Sequence, residues 1–418
     1  MVFRGLAAGQ PACEHELEVT GAGGAMCSHG PDEAPEGVDV QHRPTTSELA
    51  GTVTDGTAAT AGTVPCYGDG VSGSRIQAVY AHAADVADRY GDVVGLIGGW
   101  AGTVDNIFRD SAAETGGTRH VRWVTDSSCN LSVLDVQLSS TGDDTFSATI
   151  NELQSLGLKR SDRHYLIWAD AGVYCGIGGF VSDDRAGSNN GNNGGPGYGR
   201  VDSACWGKAS ASEAHELMHT LGGVQFSAPH STGGGHCTDD YDRMCYADSS
   251  GVTMTYTCPS THERLFDCGH DDYFHTAPPS GTYLATHWNS ADSVFLERVD
   301  PTSTSTTSTT STTSTTSTTV SATTTVTDSW SGSLARKTPS RSYSFTTGAG
   351  TVSTTLRFSS APSLQIVVRG SDGTVVAQSE GPSTLSLSAT AAAGTYTVTI
   401  TSAGSSAKYT LTVAHPSP

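Results

Sequence analysis

Apolar and polar positions divide the chain into regions of different rhythm. Up to about residue 64, glycine, proline and acidic residues interrupt every period, and residues 1–64 read as a flexible or pro-segment-like N-terminal region. From Ser74 the stretch SRIQAVYAHAADVADRY sets Ile76, Val79, Tyr80, Ala83, Val86, Ala87 and Tyr90 on one helical stripe, with Ser74 and Gln77 as a capping box. RHVRWVT (119–125) and LSVLDVQL (131–138) then read as strands. TFSATINELQSLG (145–157) reads as a helix stopped by Gly157, and RHYLIWAD (163–170) as a buried strand. The Asn/Gly stretch 187–199 is a loop. SASEAHELMHTLGG (210–223) predicts a further helix, opened by a capping box of Ser210 and Glu213. Some 80 residues rich in Gly, Asp and Cys follow with little regular pattern. The order predicts an α+β domain over 65–300, a mixed sheet whose last helix carries the chemistry.

Residues 302 to 319 are serine or threonine throughout. Such a run cannot build a core, and 301–327 is a linker, a candidate for O-glycosylation. Beyond it, SYSFTTGAG, LQIVVRGSDGTVVAQSE and GTYTVTITSAGSSAKYTLTVAH alternate apolar and polar residues between turns, which predicts a small antiparallel β-sandwich over 328–418.

The 418 residues carry a net charge of −20, unevenly spread. From residue 328 onward six basic residues face three acidic ones, a balance of +3 that leaves −23 on the remainder. An acidic main domain repels phosphates, so nucleic acid is excluded as a partner. No apolar run is long enough to span a membrane. Ten cysteines, none in a C-x-x-C pair, all precede residue 269. They point to disulfides and an extracellular location, with Cys237–Cys245 and Cys258–Cys268 as short-range pairs. The N-terminus MVFRGLAAGQPACEHE has too short an apolar stretch for a signal peptide, so the true start is expected upstream of Met1.

The candidate chemistry lies in HELMH. Residues four apart project from one helical face, so His215 and His219 can both reach one zinc ion. Glu216 sits beside the first ligand, placed to take a proton from a water that the metal has acidified. A solvated helix with two histidines explains the pentapeptide as well. Gly222 adds weight, because a glycine three after His219 lets the helix end in the αL conformation and the chain turn back.

With these residues in view, the sequence resembles the metzincin clan of zinc peptidases, whose signature is H-E-x-x-H-x-x-G-x-x-H followed by a methionine turn. HELMHTLGGVQ matches through Gly222 and departs at Gln225, where the third histidine belongs. Gln225, His230 and His236 are the candidates for the third ligand. The resemblance favours His236: in the archaemetzincin branch the third histidine is followed directly by a cysteine and, eight residues on, by the methionine, as His236, Cys237 and Met244 are here. It also implies a role for Tyr246, two after Met244. In the astacin-like and serralysin-like branches a tyrosine there binds the metal or stabilises the oxyanion; ordinary core packing is the alternative. The C-terminal sandwich resembles the bacterial pre-peptidase C-terminal domain, which implies cell-wall or glycan contact as one partner.

Other residues admit further roles. His270, Asp271 and Asp272 offer a calcium site or a polar loop. Trp288 and His287 line a pocket or pack. Cys13 and Cys27 cap the zinc from the N-terminal region or form a disulfide. Asp239, Asp240 and Asp242 orient a ligand histidine or lie in a solvated loop. The expected function is a secreted zinc endopeptidase acting on protein or peptide substrates, with Zn2+ and a place for Ca2+. The alternative is a non-catalytic adhesin or glycan-binding protein whose structural zinc is closed by four protein ligands.

Overall fold

The computed structural model describes residues 4–8, 13, 17–21, 26–50, 64–208, 212–299, 325–335, 339–348, 350–359, 363–370, 375–381, 385–402 and 406–417. The chain divides into two units, Met1–Thr307 and Ser308–Pro418.

Strands β1 (Leu6–Ala8), β2 (Leu17–Val19) and β3 (Cys27–Ser28) form a small antiparallel sheet, and a short helix α1 (Thr46–Ala50) follows. Little regular structure was expected in this region. Its described residues instead pack on the first unit, with Leu6, Val19, Met26 and Leu49 buried in its cores.

Strand β4 (Arg75–Ala83) replaces the helix expected from residue 74. All nine of its residues are buried. Ile76, Ala78 and Tyr80 enter one core, and Val79 and Ala81 the other. A strand buried on both faces is apolar at nearly every position, so it also satisfies a helical stripe. Gln77, expected in a capping box, donates instead to the carbonyls of Ala78 and Ser132.

Helix α2 (Tyr90–Glu114) went unseen in the sequence, because glycines 91, 95, 98, 99 and 102 lower its helix propensity. Tertiary burial sustains it: Val93, Ile97, Trp100, Ala101, Val104, Phe108 and Ala112 recur at helical spacing and are all buried. Then come β5 (His120–Val121), β6 (Val133–Leu138), α3 (Phe146–Ser155), β7 (Arg163–Ala169), β8 (Gly176–Gly178), β9 (Gly197–Asp202), α4 (Ser212–Thr220) and β10 (Leu296–Glu297).

The main sheet has the order β6-β4-β7-β9-β8, parallel except for the antiparallel edge strand β8. Buried side chains of α2 and α4 share one core, and those of α3 belong to the other. This unit is therefore a mixed α/β structure, compatible with α+β. Five disulfides pair all ten cysteines: Cys13–Cys27, Cys66–Cys129, Cys175–Cys205, Cys237–Cys245 and Cys258–Cys268. That many bridges fits an oxidising, extracellular setting. Among the described residues no helix is long and apolar enough to cross a membrane.

The second unit holds β11 (Thr325–Leu334), β12 (Ser340–Thr347), β13 (Gly350–Ser359), β14 (Leu364–Gly370), β15 (Val375–Gly381), β16 (Leu385–Ala391), β17 (Gly394–Ser402) and β18 (Ala407–Pro416). They form two four-stranded antiparallel sheets, β11-β18-β13-β16 and β12-β17-β14-β15. The core between them includes Phe345, Leu356, Ile366, Val398, Ile400 and Leu411. The Ser/Thr run 302–319 lies outside the described residues.

Candidate metal centre

Helix α4 is buried along its whole length and lies close against the sheet. The glycines of β8 permit that approach: a Cβ at Gly176 would strike the Glu216 carboxylate, and one at Gly178 would strike both Glu216 and the His219 Cβ. Ser210 lies outside the described residues, so the expected capping box is not described. Its partner Glu213 is buried and accepts hydrogen bonds from the Trp168 Nε1–H and the Gly207 N–H. At the other end Gly222 takes φ +88°, and its N–H donates to the His219 carbonyl. The Trp288 indole N–H caps the Leu221 carbonyl, at 2.8 Å. Trp288 thus packs, while with His287 it also borders a groove of about 670 Å3.

The helix brings His215 and His219 together, their Nε2 atoms 2.9 Å apart. The loop after it brings His236, whose Nε2 lies 3.3 Å from that of His215. Two imidazole nitrogens bound tetrahedrally to one zinc ion at about 2.0–2.1 Å stand roughly 3.3 Å apart. The other side of two of the rings is set for that task. His215 Nδ1 lies 2.8 Å from the Arg243 carbonyl, which requires the proton on Nδ1 and leaves the Nε2 lone pair free. His236 Nδ1 lies 3.0 Å from the Asp248 carboxylate. Asp248 also accepts from Thr232 Oγ1, in a loop whose Gly234 leaves room for the carboxylate.

Asp248 was not among the aspartates singled out in the sequence. Asp242 instead organises the turn at Met244, accepting from the N–H groups of Met244 and Cys268 and from the Tyr273 hydroxyl. Asp239 lies beside His230, and Asp240 accepts from the Tyr241 N–H. Met244 is fully buried, and Cys237–Cys245 staples its turn to the loop of His236.

Two further residues reach this point from the N-terminal region. His29 lies tilted against His219 and edge-on to His236, with ring centroids 4.2 and 4.5 Å away. Asp32 lies 3.5 Å from His215 Nε2 and 3.7 Å from His236 Nε2. One ligand atom from each of His29, Asp32, His215, His219 and His236 falls within 4.8 Å of all the others. Tyr246 donates its hydroxyl to Asp32 Oδ1 at 2.7 Å, and its ring lies 4.1 Å from that of His236. Cys13 and Cys27, for which zinc capping and a disulfide were both open, are bonded to each other. The N-terminal region does reach the centre, through His29 and Asp32. Only a His and an Asp three apart after a cysteine hinted at this in the sequence.

The residues fit a cation. His29 Nε2 is buried without a hydrogen-bond partner, and the buried Glu216 carboxyl meets none but Asp32, which is costly in a polar cluster with nothing bound. Burial, ahead of the neighbouring His29 and the other imidazoles, drives His219 well below the usual histidine range. His29 falls to about 3 for the same first reason, against the opposing pull of Asp32. Neutral imidazole is the form that ligates metal. Burial, then the Asp32 charge, holds the Glu216 carboxyl well above its ordinary range. Burial works in the same sense on Asp32, but His215 and the surrounding hydrogen bonds outweigh it and hold that carboxyl well below.

The other candidate ligands lie elsewhere. Gln225 Oε1 accepts from the Asp183 N–H, and its amide donates to the Gly222 carbonyl. His230 meets Asp272, Asp239 and Asp271 at 3.2, 3.5 and 3.7 Å in a second cluster. Asp271 and Asp272, considered with His270 for calcium, thus lie with His230 and Asp239, while the ring nitrogen of His270 is 4.0 Å from Glu114.

No family model matches the chain, and no curated protein matches it significantly. Among solved structures, OgpA from Akkermansia muciniphila aligns over 80% of this chain and 88% of its own, at 11% identity and a TM-score of 0.28. A catalytically inactive form of OgpA has been solved with an O-glycopeptide substrate. The pre-peptidase C-terminal domain of a Bacillus anthracis collagenase aligns over 22% of this chain and 88% of its own, at 16% identity and a TM-score of 0.18. Likenesses this distant assign neither family nor activity.

Proposed function

We propose that the chain is a zinc-dependent endopeptidase of metzincin-like fold, acting outside the cell on protein or peptide substrates. The observation that carries this reading is the convergence of the His215, His219 and His236 Nε2 atoms beside the buried Glu216 carboxylate. Zinc held by these three imidazoles would acidify a water molecule and polarise the scissile carbonyl. Glu216 would take the proton from such a water and return it to the leaving amine. Its buried, desolvated carboxylate suits a base that must both accept and return a proton. The Tyr246 hydroxyl, once released from Asp32, donates to the oxyanion of the tetrahedral intermediate. The arrangement needs no covalent acyl-enzyme.

A second reading has its own support. His29 and Asp32 bring the count of candidate protein ligands to five, and a structural zinc site is closed by four. A non-catalytic adhesin or glycan-binding protein would use the same cluster as a staple and would have no need of Glu216. Hydrolysis of an unfolded protein by His29→Ala/Asp32→Ala, in which the two extra ligands are removed, with and without Glu216→Ala and with zinc measured in both, separates the readings. Full activity in Glu216→Ala would sink the peptidase mechanism.

A further inference from the structure

The three imidazoles and Glu216 are buried; His219, His236 and Glu216 have no exposed surface at all. A peptidase centre must admit a polypeptide, so something now stands where the substrate would lie. Residues 26–32 do. β8 bonds to β9 along one edge. Along the other, Cys27 and Phe180 exchange both backbone hydrogen bonds, at 2.8 and 2.9 Å, and the Asp32 N–H donates to the Gly176 carbonyl at 3.0 Å. The segment thus runs antiparallel along the free edge of β8 and its continuation to Phe180, bonded to it at its two ends, where a sheet edge can capture an extended peptide. Between these anchors it delivers His29 and Asp32 to the imidazole cluster. Asp32 also takes the Tyr246 hydroxyl, and a Cβ at Gly176 would meet Asp32 and Glu216 together, so the two carboxylates share one small space.

We propose that residues 26–32 are an intramolecular strap, resting on the peptidase reading above. Their backbone occupies the substrate edge of β8, and His29 and Asp32 fill the coordination positions that water and the scissile carbonyl need. The strap has its own fastenings. β3 within it pairs with β2, Cys13–Cys27 ties it to the connection between β1 and β2, Arg43 pairs with the buried Asp170 at 3.0 Å, and Leu49 is buried in the core. Three of the metal's ligands belong to α4 and its following loop, so they remain when the strap leaves. In the proposal His29 and Asp32 are needed only to keep the site shut.

The test uses the full chain loaded with cobalt(II), whose visible spectrum reports coordination, and azide as a small ligand for an open position. Wild type, Asp32→Asn and His29→Ala/Asp32→Ala are compared, with near-ultraviolet circular dichroism as the check on folding. The proposal expects one cobalt per chain in all three. Azide should leave the wild-type spectrum unchanged and perturb that of the double variant, with apparent affinity raised at least about tenfold as the closed fraction is removed. Equal azide responses in wild type and double variant would overturn it. So would loss of cobalt from both folded variants, which would make His29 and Asp32 ligands of a closed structural site. Azide reads closure without any hydrolysis. Hydrolysis of unfolded protein by the double variant is scored separately, so a site that opens yet cleaves nothing counts against the peptidase reading and for the strap.

Discussion

Asp248 offers a direct handle on the third ligand, because His236 is the one loop histidine in the cluster held from behind by a side chain. Its Nδ1 lies 3.0 Å from the carboxylate, whose own side chain is only 12% exposed. His215 is oriented by a backbone carbonyl, which no substitution removes. Replacing Asp248 by alanine frees the His236 ring to rotate, leaves Thr232 Oγ1 with only the His236 carbonyl as acceptor, and removes the negative charge that makes the imidazole more basic. Loss of such an outer partner typically costs 10–100-fold in metal affinity, or about 1.4–2.7 kcal/mol. Asp248→Asn should cost less, since its amide oxygen still accepts from Nδ1. The assay is competition for zinc against a chromophoric chelator at fixed pH, with the denaturation midpoint measured on the metal-free protein to separate folding from binding. Zinc affinity within about twofold of wild type in a folded Asp248→Ala protein would refute the reasoning, because an oriented ligand cannot be released without loss.

Three further variants have defined outcomes. Gly222→Ala must adopt φ +88° and set a Cβ against Asn192 and Trp288, so it should lower stability by about 2–4 kcal/mol in urea unfolding; a loss below about 1 kcal/mol would mean that the helix end relaxes freely. Cys237→Ala/Cys245→Ala opens a loop of eight-residue separation, which should cost about 2.5 kcal/mol by chain entropy; an unchanged midpoint would show that the metal alone fixes the loop. Tyr246→Phe, in a chain carrying His29→Ala/Asp32→Ala, should keep its zinc and lose about 10²-fold in kcat with little change in KM; unchanged kcat would return Tyr246 to a packing role.

Much of the centre is written locally. Helix α4 with His215, Glu216 and His219 follows from four-residue spacing and a terminal glycine, and the bridges Cys237–Cys245 and Cys258–Cys268 from proximity along the chain. Strand β7 and helix α3 carry clear periods of their own. β4 misleads because both of its faces are buried, so period two disappears into a continuous apolar run. α2 hides because its glycines speak against the helix that packing enforces. His29 and Asp32 meet histidines some 180–210 positions away in sequence, and no spacing rule reaches that far. Asp248 lies only twelve residues beyond His236, yet in an Asp-rich stretch nothing local marks which carboxylate turns inward.

The most direct measurement is hydrolysis of an unfolded protein by zinc-loaded His29→Ala/Asp32→Ala, with and without Glu216→Ala, and zinc counted in each. The account predicts one zinc per chain in both proteins and cleavage only where Glu216 is present. Equal cleavage by both, or zinc in both with cleavage by neither, would contradict it.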